Sequence, residues 1–427
     1  MKYYKHFSLG CKVNAYETEA VCRILKRHGY TESPDERCDL IVINTCAVTL
    51  TGESKSRQKI HSLKKQYPSA RIFVMGCYAQ LHPDQVASIE GVDVVVGTSF
   101  RDRIVELLDE ARQSDQPVVR VESDSFHRTY ECLEIDSYQE NTRAFVKIQD
   151  GCNNFCSYCV IPYTRGNTRS RREEDILEEI GRLIQNGYSE IVLTGIDMAS
   201  YGADFAEKTT LNRLIRAILS AFPDLKRLRI SSLEASQIDD EFVDLLKTYP
   251  AIARHLHIPL QSGSEKILRK MNRKYTTDVF YADLKKIRDA LPDIALACDV
   301  IVGFPGEGER EFEETCAFIR RCGFDYLHVF PYSPRPSTPA SSMPDQVPGP
   351  IKKERVNRLI ALGKHLKAEY EDRFVGKEVD VIVETYDRER HLCRGYSSNY
   401  LEVSFPSETD LRGRYVKVIY EKETPDR

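Results

Sequence analysis

The chain has 427 residues, 30% charged and 41% hydrophobic, with a formal net charge of −4. That length allows two to four domains with cores of their own. The charge argues against a general DNA coater, no apolar run is long enough to span a bilayer, and the start Met1-Lys2-Tyr3-Tyr4 reads as a strand rather than a signal peptide, so no membrane partner is expected and the expected location is cytosolic. Thirteen cysteines in a chain of this size point to metal chemistry in a reducing compartment rather than to disulfides.

Residues 1–112 alternate short apolar strands (4–9, 40–44, 72–75, 92–96) with amphipathic helices (17–28, 53–66, 83–89, 101–111). This pattern predicts an α/β domain with a doubly wound parallel sheet. Cys11 follows the first strand, Cys46 the second and Cys77 the third. In a parallel sheet the carboxyl ends of the strands share one edge, where ligands bind, so three cysteines distant in sequence are expected to converge there. The competing reading is three separate core cysteines. Cys22 and Cys38 lack this placement and are read as packing residues. Residues 113–141 are polar and charge-mixed and read as a linker that packs through Phe126, Tyr130 and Leu133; Cys132 within it has no partner at ligand spacing.

Residues 142–350 resume the alternation, with strands expected at 144–148, 190–194, 227–230, 255–258, 295–302 and 326–330. Six such units suit a partial barrel whose active site lies at the carboxyl ends of its strands. The first of these strands runs into Gly151-Cys152-Asn153-Asn154-Phe155-Cys156-Ser157-Tyr158-Cys159, a C-x3-C-x2-C loop. Three close thiolates hold three corners of an iron–sulfur cube and leave one iron open to a small molecule. Structural zinc is the alternative, but no fourth Cys or His follows at finger spacing.

The C-x3-C-x2-C loop, with Tyr158 before its third cysteine, resembles the radical S-adenosylmethionine (SAM) superfamily. Together with Leu9-Gly10-Cys11-Lys12-Val13-Asn14, Ile43-Asn44-Thr45-Cys46 and Met75-Gly76-Cys77, it makes nearly the whole chain similar to the methylthiotransferases. Lys12-Val13-Asn14 most resembles the branch acting on threonylcarbamoyladenosine in tRNA; the isopentenyladenosine branch usually reads Gln-Met-Asn here.

The resemblance implies two 4Fe–4S clusters, on Cys152, Cys156 and Cys159 and on Cys11, Cys46 and Cys77, with SAM on the first. A deoxyadenosyl radical then takes hydrogen from C2 of the target adenine at position 37, the second cluster carries the sulfur, and a second SAM supplies the methyl group. It further implies SAM contacts from Tyr158, from Thr194 and Gly195 in a turn where Asp197 matches the family's acid only loosely, and from Gly303 and Pro305. Glu234 is read as a ribose acceptor, and Gln261 and Ser262 as part of a turn that lets backbone approach a ligand. Residues 331–335 are expected to face the substrate, and Cys298, Cys316 and Cys322 to be core. Arg165, Arg169, Arg171 and Arg172 form a basic run, read either as tRNA phosphate contacts or as a solvated surface paired with Glu173 and Glu174.

A helix is predicted over 351–374 and a small β-barrel over 375–427, resembling the RNA-binding TRAM module. Arg388, Arg390, Arg394, Arg412, Arg414 and Lys417, with Tyr396 and Tyr400, are its candidate RNA contacts. The expected partners are tRNA, a sulfur source and an electron donor such as flavodoxin or ferredoxin. Rival readings are the same chemistry on isopentenyladenosine or on a ribosomal protein, and a non-catalytic iron–sulfur RNA-binding or redox-sensing protein.

Overall fold

The structure is a computed structural model and describes residues 2–123, 129–138 and 142–422. Phe126 and the rest of 124–128, 139–141 and 423–427 lie outside the described residues.

The amino-terminal sheet is built from β1 (Lys2–Ser8), β2 (Tyr30–Glu32), β3 (Leu40–Thr45), β4 (Arg71–Gly76), β5 (Val94–Val96) and β6 (Val118–Arg120), all parallel, in the order β2-β1-β3-β4-β5-β6. Its helices are α1 (Lys12–Arg27), α2 (Leu50–Gln66), α3 (Cys77–Leu81), α4 (Pro83–Ala87) and α5 (Ile104–Ala111). Alternate strand residues feed two cores. Leu40, Val42, Phe73 and Met75 pack towards α1 and α5. Ile41, Ile43, Ile72 and Val74 pack towards α2, α3 and α4. Burial on both faces explains why these strands read as continuous apolar runs. β2 and β6, at the two edges, are only three residues long and escaped the sequence reading. The expected linker is therefore partly a sixth strand. Beyond it, Leu133 and Ile135 are buried, and Tyr16 donates its hydroxyl to the Leu133 carbonyl.

β7 (Arg143–Lys147) leads into a two-residue antiparallel pair, β8 (Gln149–Asp150) with β9 (Arg169–Ser170), which brackets the cysteine loop and α6 (Ile161–Arg165). Then follow α7 (Glu173–Gln185), β10 (Glu190–Thr194), α8 (Leu211–Ala221), β11 (Arg227–Ile230), α9 (Asp240–Thr248), β12 (His255–His257), α10 (Glu265–Lys270), α11 (Thr277–Ala290), β13 (Ala295–Val302), α12 (Glu309–Cys322) and β14 (Tyr326–Pro331). Side chains of Thr210, Asp239 and Thr276 cap α8, α9 and α11. Parallel pairing runs β7-β10-β11 and β12-β13-β14, and a bridge from Leu228 to Ile252 links the two trios. The six strands so follow chain order, as a partial (β/α)6 barrel requires.

α13 (Gly349–Asp372) precedes β15 (Glu378–Asp387), β16 (Leu392–Ser397), β17 (Glu402–Pro406) and β18 (Tyr415–Ile419). These form an antiparallel half-barrel sheet in the order β17-β16-β15-β18, an open version of the closed barrel expected. Tyr370 and Phe374 close its core from below. No helix among the described residues is long and apolar enough to cross a membrane.

The chain divides into two compact units that do not follow the expected boundaries. The first comprises Met1–Ser137, Gln149–Arg171 and Ser333–Ser341; the second, Tyr138–Ile148, Arg172–Tyr332 and Ser342–Arg427. The cysteine loop, sequence neighbour of β7, thus belongs with the amino-terminal sheet, because its buried polar side chains find their partners there. The half-barrel sheet likewise belongs with the strands of the second unit rather than standing as a separate domain.

Candidate active site

In the first unit the strand order 2-1-3-4-5 puts the topological switch point between β1 and β3, at their carboxyl ends. Cys11 and Cys46 follow those two strands, and Cys77 follows the next one. Register brings them together: Ser8 pairs with Asn44, Leu9 N–H donates to the Asn44 carbonyl at 2.9 Å, and Thr45 pairs with Gly76. Glycine permits the approach. Gly76 has φ 103°, and a Cβ there would stand 2.5 Å from the Thr45 carbonyl oxygen. A Cβ on Gly10 would stand 3.2 Å from the Cys46 Sγ. Cys11 caps α1 and Cys77 opens α3.

The environment of these thiols mixes burial with positive charge. Burial pushes the Cys77 thiol up to about 11, and it pushes Cys46 upward as well. Arg165 acts on both in the opposite sense, favouring the thiolate that a metal needs. None of the chain's cysteines is in a disulfide. Among the described residues no three acidic, His or Cys side chains stand together as a metal-ligand group. The donor set fits the iron–sulfur group: three thiols on one sheet edge with a cation beside them.

The C-x3-C-x2-C loop is held by its backbone. Cys152 N–H donates to the Gly166 carbonyl at 3.0 Å and Cys159 N–H to the Cys156 carbonyl at 2.9 Å. Asn154 N–H donates to the Cys152 Sγ at 3.5 Å, and Asn153 accepts from Thr168 N–H. Tyr158 is half-buried; Phe155 and Tyr163 meet edge to face at 6.2 Å, both partly exposed. The Ser333–Ser341 strap touches this loop and the start of α2. Ala340 N–H donates to the Ser157 carbonyl at 2.8 Å, and Leu50 N–H to the Ser333 hydroxyl at 3.4 Å. Buried Arg335 pairs with Glu53 in α2, where His82 also stands 3.6 Å away. Arg335 was expected to face the substrate; its guanidinium is spent at least partly on this pair.

The basic run is corrected most sharply. Arg165, Arg169 and Arg171 are buried, so neither a tRNA surface nor a solvated one describes them. Arg165 donates to Glu17 at 2.8 Å, Asp150 at 2.9 Å and Asn14 at 2.9 Å. Arg169 donates to the Arg165 carbonyl and Arg171 to the Tyr16 hydroxyl. Only Arg172 is exposed, 3.4 Å from Asp175 and 3.7 Å from Glu174. The sequence reading missed this set because its acidic partner Glu17 lies 148 residues away.

In the second unit, the residues expected to contact SAM stand at or just after the carboxyl ends of their strands. Thr194 ends β10; its carbonyl accepts from Ile148 N–H, and its hydroxyl lies 3.4 Å from Ser231 Oγ. Gly195 follows, and Asp197 accepts from the Ser200 hydroxyl at 2.8 Å. Glu234, beyond β11, pairs with Arg273; burial raises its pKa and Arg273 opposes that. Gln261 has φ 65° and bridges to Val300. Ser262 and Gly263 pack on α12: Ser262 Oγ is 3.2 Å from Thr315 Oγ1, and a Cβ on Gly263 would meet Phe318 at 2.7 Å. Gly303 N–H donates to Glu307 at 2.7 Å, Glu307 pairs with Arg355, and Pro305 offers its carbonyl to Lys270 at 3.4 Å. Cys298, Cys316 and Cys322 are core residues, and Cys22 is buried in α1, as expected; Cys38 is half-buried.

Residues 146–319 match the model of the radical SAM superfamily, and residues 3–97 match that of the uncharacterized protein family UPF0004. A protein of Bacillus subtilis named threonylcarbamoyladenosine tRNA methylthiotransferase MtaB is 45% identical, covering 96% of this chain and 92% of its own. The chain belongs to the radical SAM methylthiotransferase family. A Thermotoga maritima protein of the same name is 36% identical over 95% of this chain and 92% of its own. So is a tRNA-2-methylthio-N(6)-dimethylallyladenosine synthase of Acetivibrio thermocellus, over 96% of this chain and 87% of its own. In fold, the chain resembles the radical SAM methyltransferase TsrM of Kitasatospora setae, with a TM-score of 0.58, 16% identity, and coverage of 80% and 77%. This methylthiotransferase is thus an enzyme whose cofactors are SAM and 4Fe–4S clusters, two of them as methylthiotransferases generally have.

Its half-barrel sheet is mounted by charged and aromatic contacts within the second unit. Arg227 and Arg229 hold Glu190 and reach Asp380 and the Ser397 and Ser398 carbonyls. Tyr400 stacks on His255 at 4.5 Å with the Arg229 guanidinium over its ring at 4.9 Å. Tyr400 therefore helps to mount the sheet. Arg412 pairs with Asp410, Lys417 with Glu378 and Arg390 with Asp387; all three, like Arg388, Arg394 and Arg414, are exposed.

Proposed function

We propose that this enzyme adds a methylthio group to C2 of N6-threonylcarbamoyladenosine at position 37 of tRNA. The observation that carries the reading is the 45% identity to the B. subtilis protein of that name, against 36% for the dimethylallyladenosine synthase of A. thermocellus. Lys12-Val13 points the same way. Asn14, common to both branches, is engaged in structure: its amide donates to the Leu9 and Thr45 carbonyls.

Cys152, Cys156 and Cys159 are the ligands we assign to the SAM-cleaving cluster, and Cys11, Cys46 and Cys77 to the sulfur-delivering one. When bound, these groups supply the radical and the sulfur; the chain's own part is to hold them and exclude water. Tyr158 in the first unit, and Thr194, Gly195 and Glu234 in the second, are the residues assigned to SAM, with Gln261, Gly303 and Pro305 shaping the backbone turns. Arg388, Arg390, Arg394 and Arg414 are the proposed tRNA phosphate contacts. The reaction draws electrons from a low-potential carrier such as flavodoxin or ferredoxin, and sulfur from a separate source.

Mass spectrometry of tRNA nucleosides from cells with and without the gene tests the substrate. Loss of methylthio-threonylcarbamoyladenosine with accumulation of its unthiolated precursor is expected. Loss of methylthio-isopentenyladenosine instead moves the enzyme to the other branch.

A further inference from the structure

We propose that Arg165 is a positioning residue that locks the C-x3-C-x2-C loop at a fixed separation from the strand ends that carry Cys11 and Cys46, so that radical formation stays coupled to sulfur transfer. The guanidinium is wholly buried and joins its own segment to two others, α1 and β8. One terminal nitrogen donates to Glu17 Oε1 at 2.8 Å and to Asp150 Oδ1 at 2.9 Å; the other donates to Asn14 Oδ1 at 2.9 Å and Glu17 Oε2 at 3.2 Å.

Two of the three partners, Asn14 and Asp150, lead through one further bond to backbone beside a cysteine. Asn14 donates its amide to the Leu9 carbonyl at 2.7 Å and the Thr45 carbonyl at 3.2 Å, just before Cys11 and Cys46. Asp150 accepts from Gly151 N–H at 2.9 Å, immediately before Cys152. Gly166, the next residue after Arg165, accepts from Cys152 N–H at 3.0 Å. Glu17 is clasped from its other side by Arg101, 2.6 Å away, whose guanidinium also donates to the Thr98 carbonyl at 2.8 Å; Thr98 in turn donates to the Thr164 carbonyl at 2.9 Å. Since Thr164 precedes Arg165, the network closes on itself beneath the C-x3-C-x2-C loop.

Stability alone gives no reason for it. Buried ion pairs lose so much hydration that apolar residues of equal volume often serve a fold as well or better. What a planar fork with three fixed partners adds is geometry. Sulfur delivery to a carbon radical formed elsewhere needs that geometry, since a misplacement of about 1 Å costs on the order of 100-fold in rate.

The inference rests on the assignment of the six cysteines, which iron content checks separately. Cys46→Ala and Cys156→Ala each lose about half the iron if it holds; unchanged iron in both sinks the assignment rather than the role of Arg165. Given two clusters, Arg165→Lys keeps the charge and loses the fork. In reconstituted full-length enzyme it is expected to retain the iron and sulfide of both clusters and to keep cleaving SAM. Methylthio product per deoxyadenosine should fall about ten-fold or more, and the spin–spin splitting between the reduced clusters should change. A loaded Arg165→Lys enzyme with the parent product ratio and splitting overturns the proposal, as does a loss of SAM cleavage in step with product. Should Arg165→Lys not load, Glu17→Gln is read the same way; failure of both to load assigns the network to assembly and also overturns it.

Discussion

Two carboxylates, one in each compact unit, are each clasped by two buried arginines. Glu17 stands 2.8 Å from Arg165 and 2.6 Å from Arg101. Glu190 stands 3.1 Å from Arg227 and 2.6 Å from Arg229. The chemistry is the same, but the places differ. Glu17 lies near the start of α1, below the carboxyl-end loops that carry the cysteines. Glu190 opens β10 and Arg227 opens β11, at the opposite ends of their strands, where the half-barrel sheet is mounted. In parallel α/β folds the carboxyl ends carry chemistry and the amino ends carry stability. One motif therefore serves reaction geometry in one unit and mounting of the half-barrel sheet in the other.

The strongest way to break this comparison is to remove a thiol. Cys156→Ala is expected to abolish methylthiolation and SAM cleavage while leaving a chain that still binds iron at the other set. Iron and sulfide assays check it, and an iron-free variant contradicts independent sites. Next in size is Glu190→Ala. It leaves two buried guanidiniums without their shared partner, a cost of about 3–5 kcal/mol. Urea unfolding should show that loss, together with faster proteolysis in the sheet over residues 378–419. Glu17→Ala should destabilise by a similar amount but, unlike Glu190→Ala, should also uncouple SAM cleavage from product in whatever protein stays folded.

Acid sharpens the contrast further. Burial tends to raise the Glu190 pKa, but Arg229, Arg227 and Arg143 outweigh it and hold the carboxyl below its usual 4.5. A depressed native value means that the contribution of Glu190 is complete above that pH and is lost as pH falls through the lowered value. Acid titration followed by circular dichroism should show this limb in the parent protein and lose it in Glu190→Gln. The smallest effect belongs to the one exposed arginine of the basic run. Arg172→Ala should change stability by no more than about 0.5 kcal/mol, as surface pairs do, and a thermal melt checks it.

The strands and the three strand-end cysteines were legible because burial on both faces writes uninterrupted apolar runs, and because Gly10-Cys11 and Gly76-Cys77 mark where each run stops. The six central strands were legible from their apolar runs, within a residue or two at each end. β2 and β6 were not, since three residues at a sheet edge carry no period. Ser262 and Gly263 read as a turn of close approach because they are small, and the contact with α12 could not be read from the sequence. Tyr400 looked like a base-stacking residue because an aromatic among arginines has that composition on any surface.

The order of elements, the two sets of three cysteines and the family could all be read from the residues, because they depend on local pattern and spacing. The tertiary structure alone decided that the second cysteine loop belongs with the amino-terminal sheet and that its neighbouring arginines are internal. A run of charge shows how many cations are near one another along the chain. Whether they meet water or carboxylates depends on residues more than a hundred positions away, and only the folded chain brings those together.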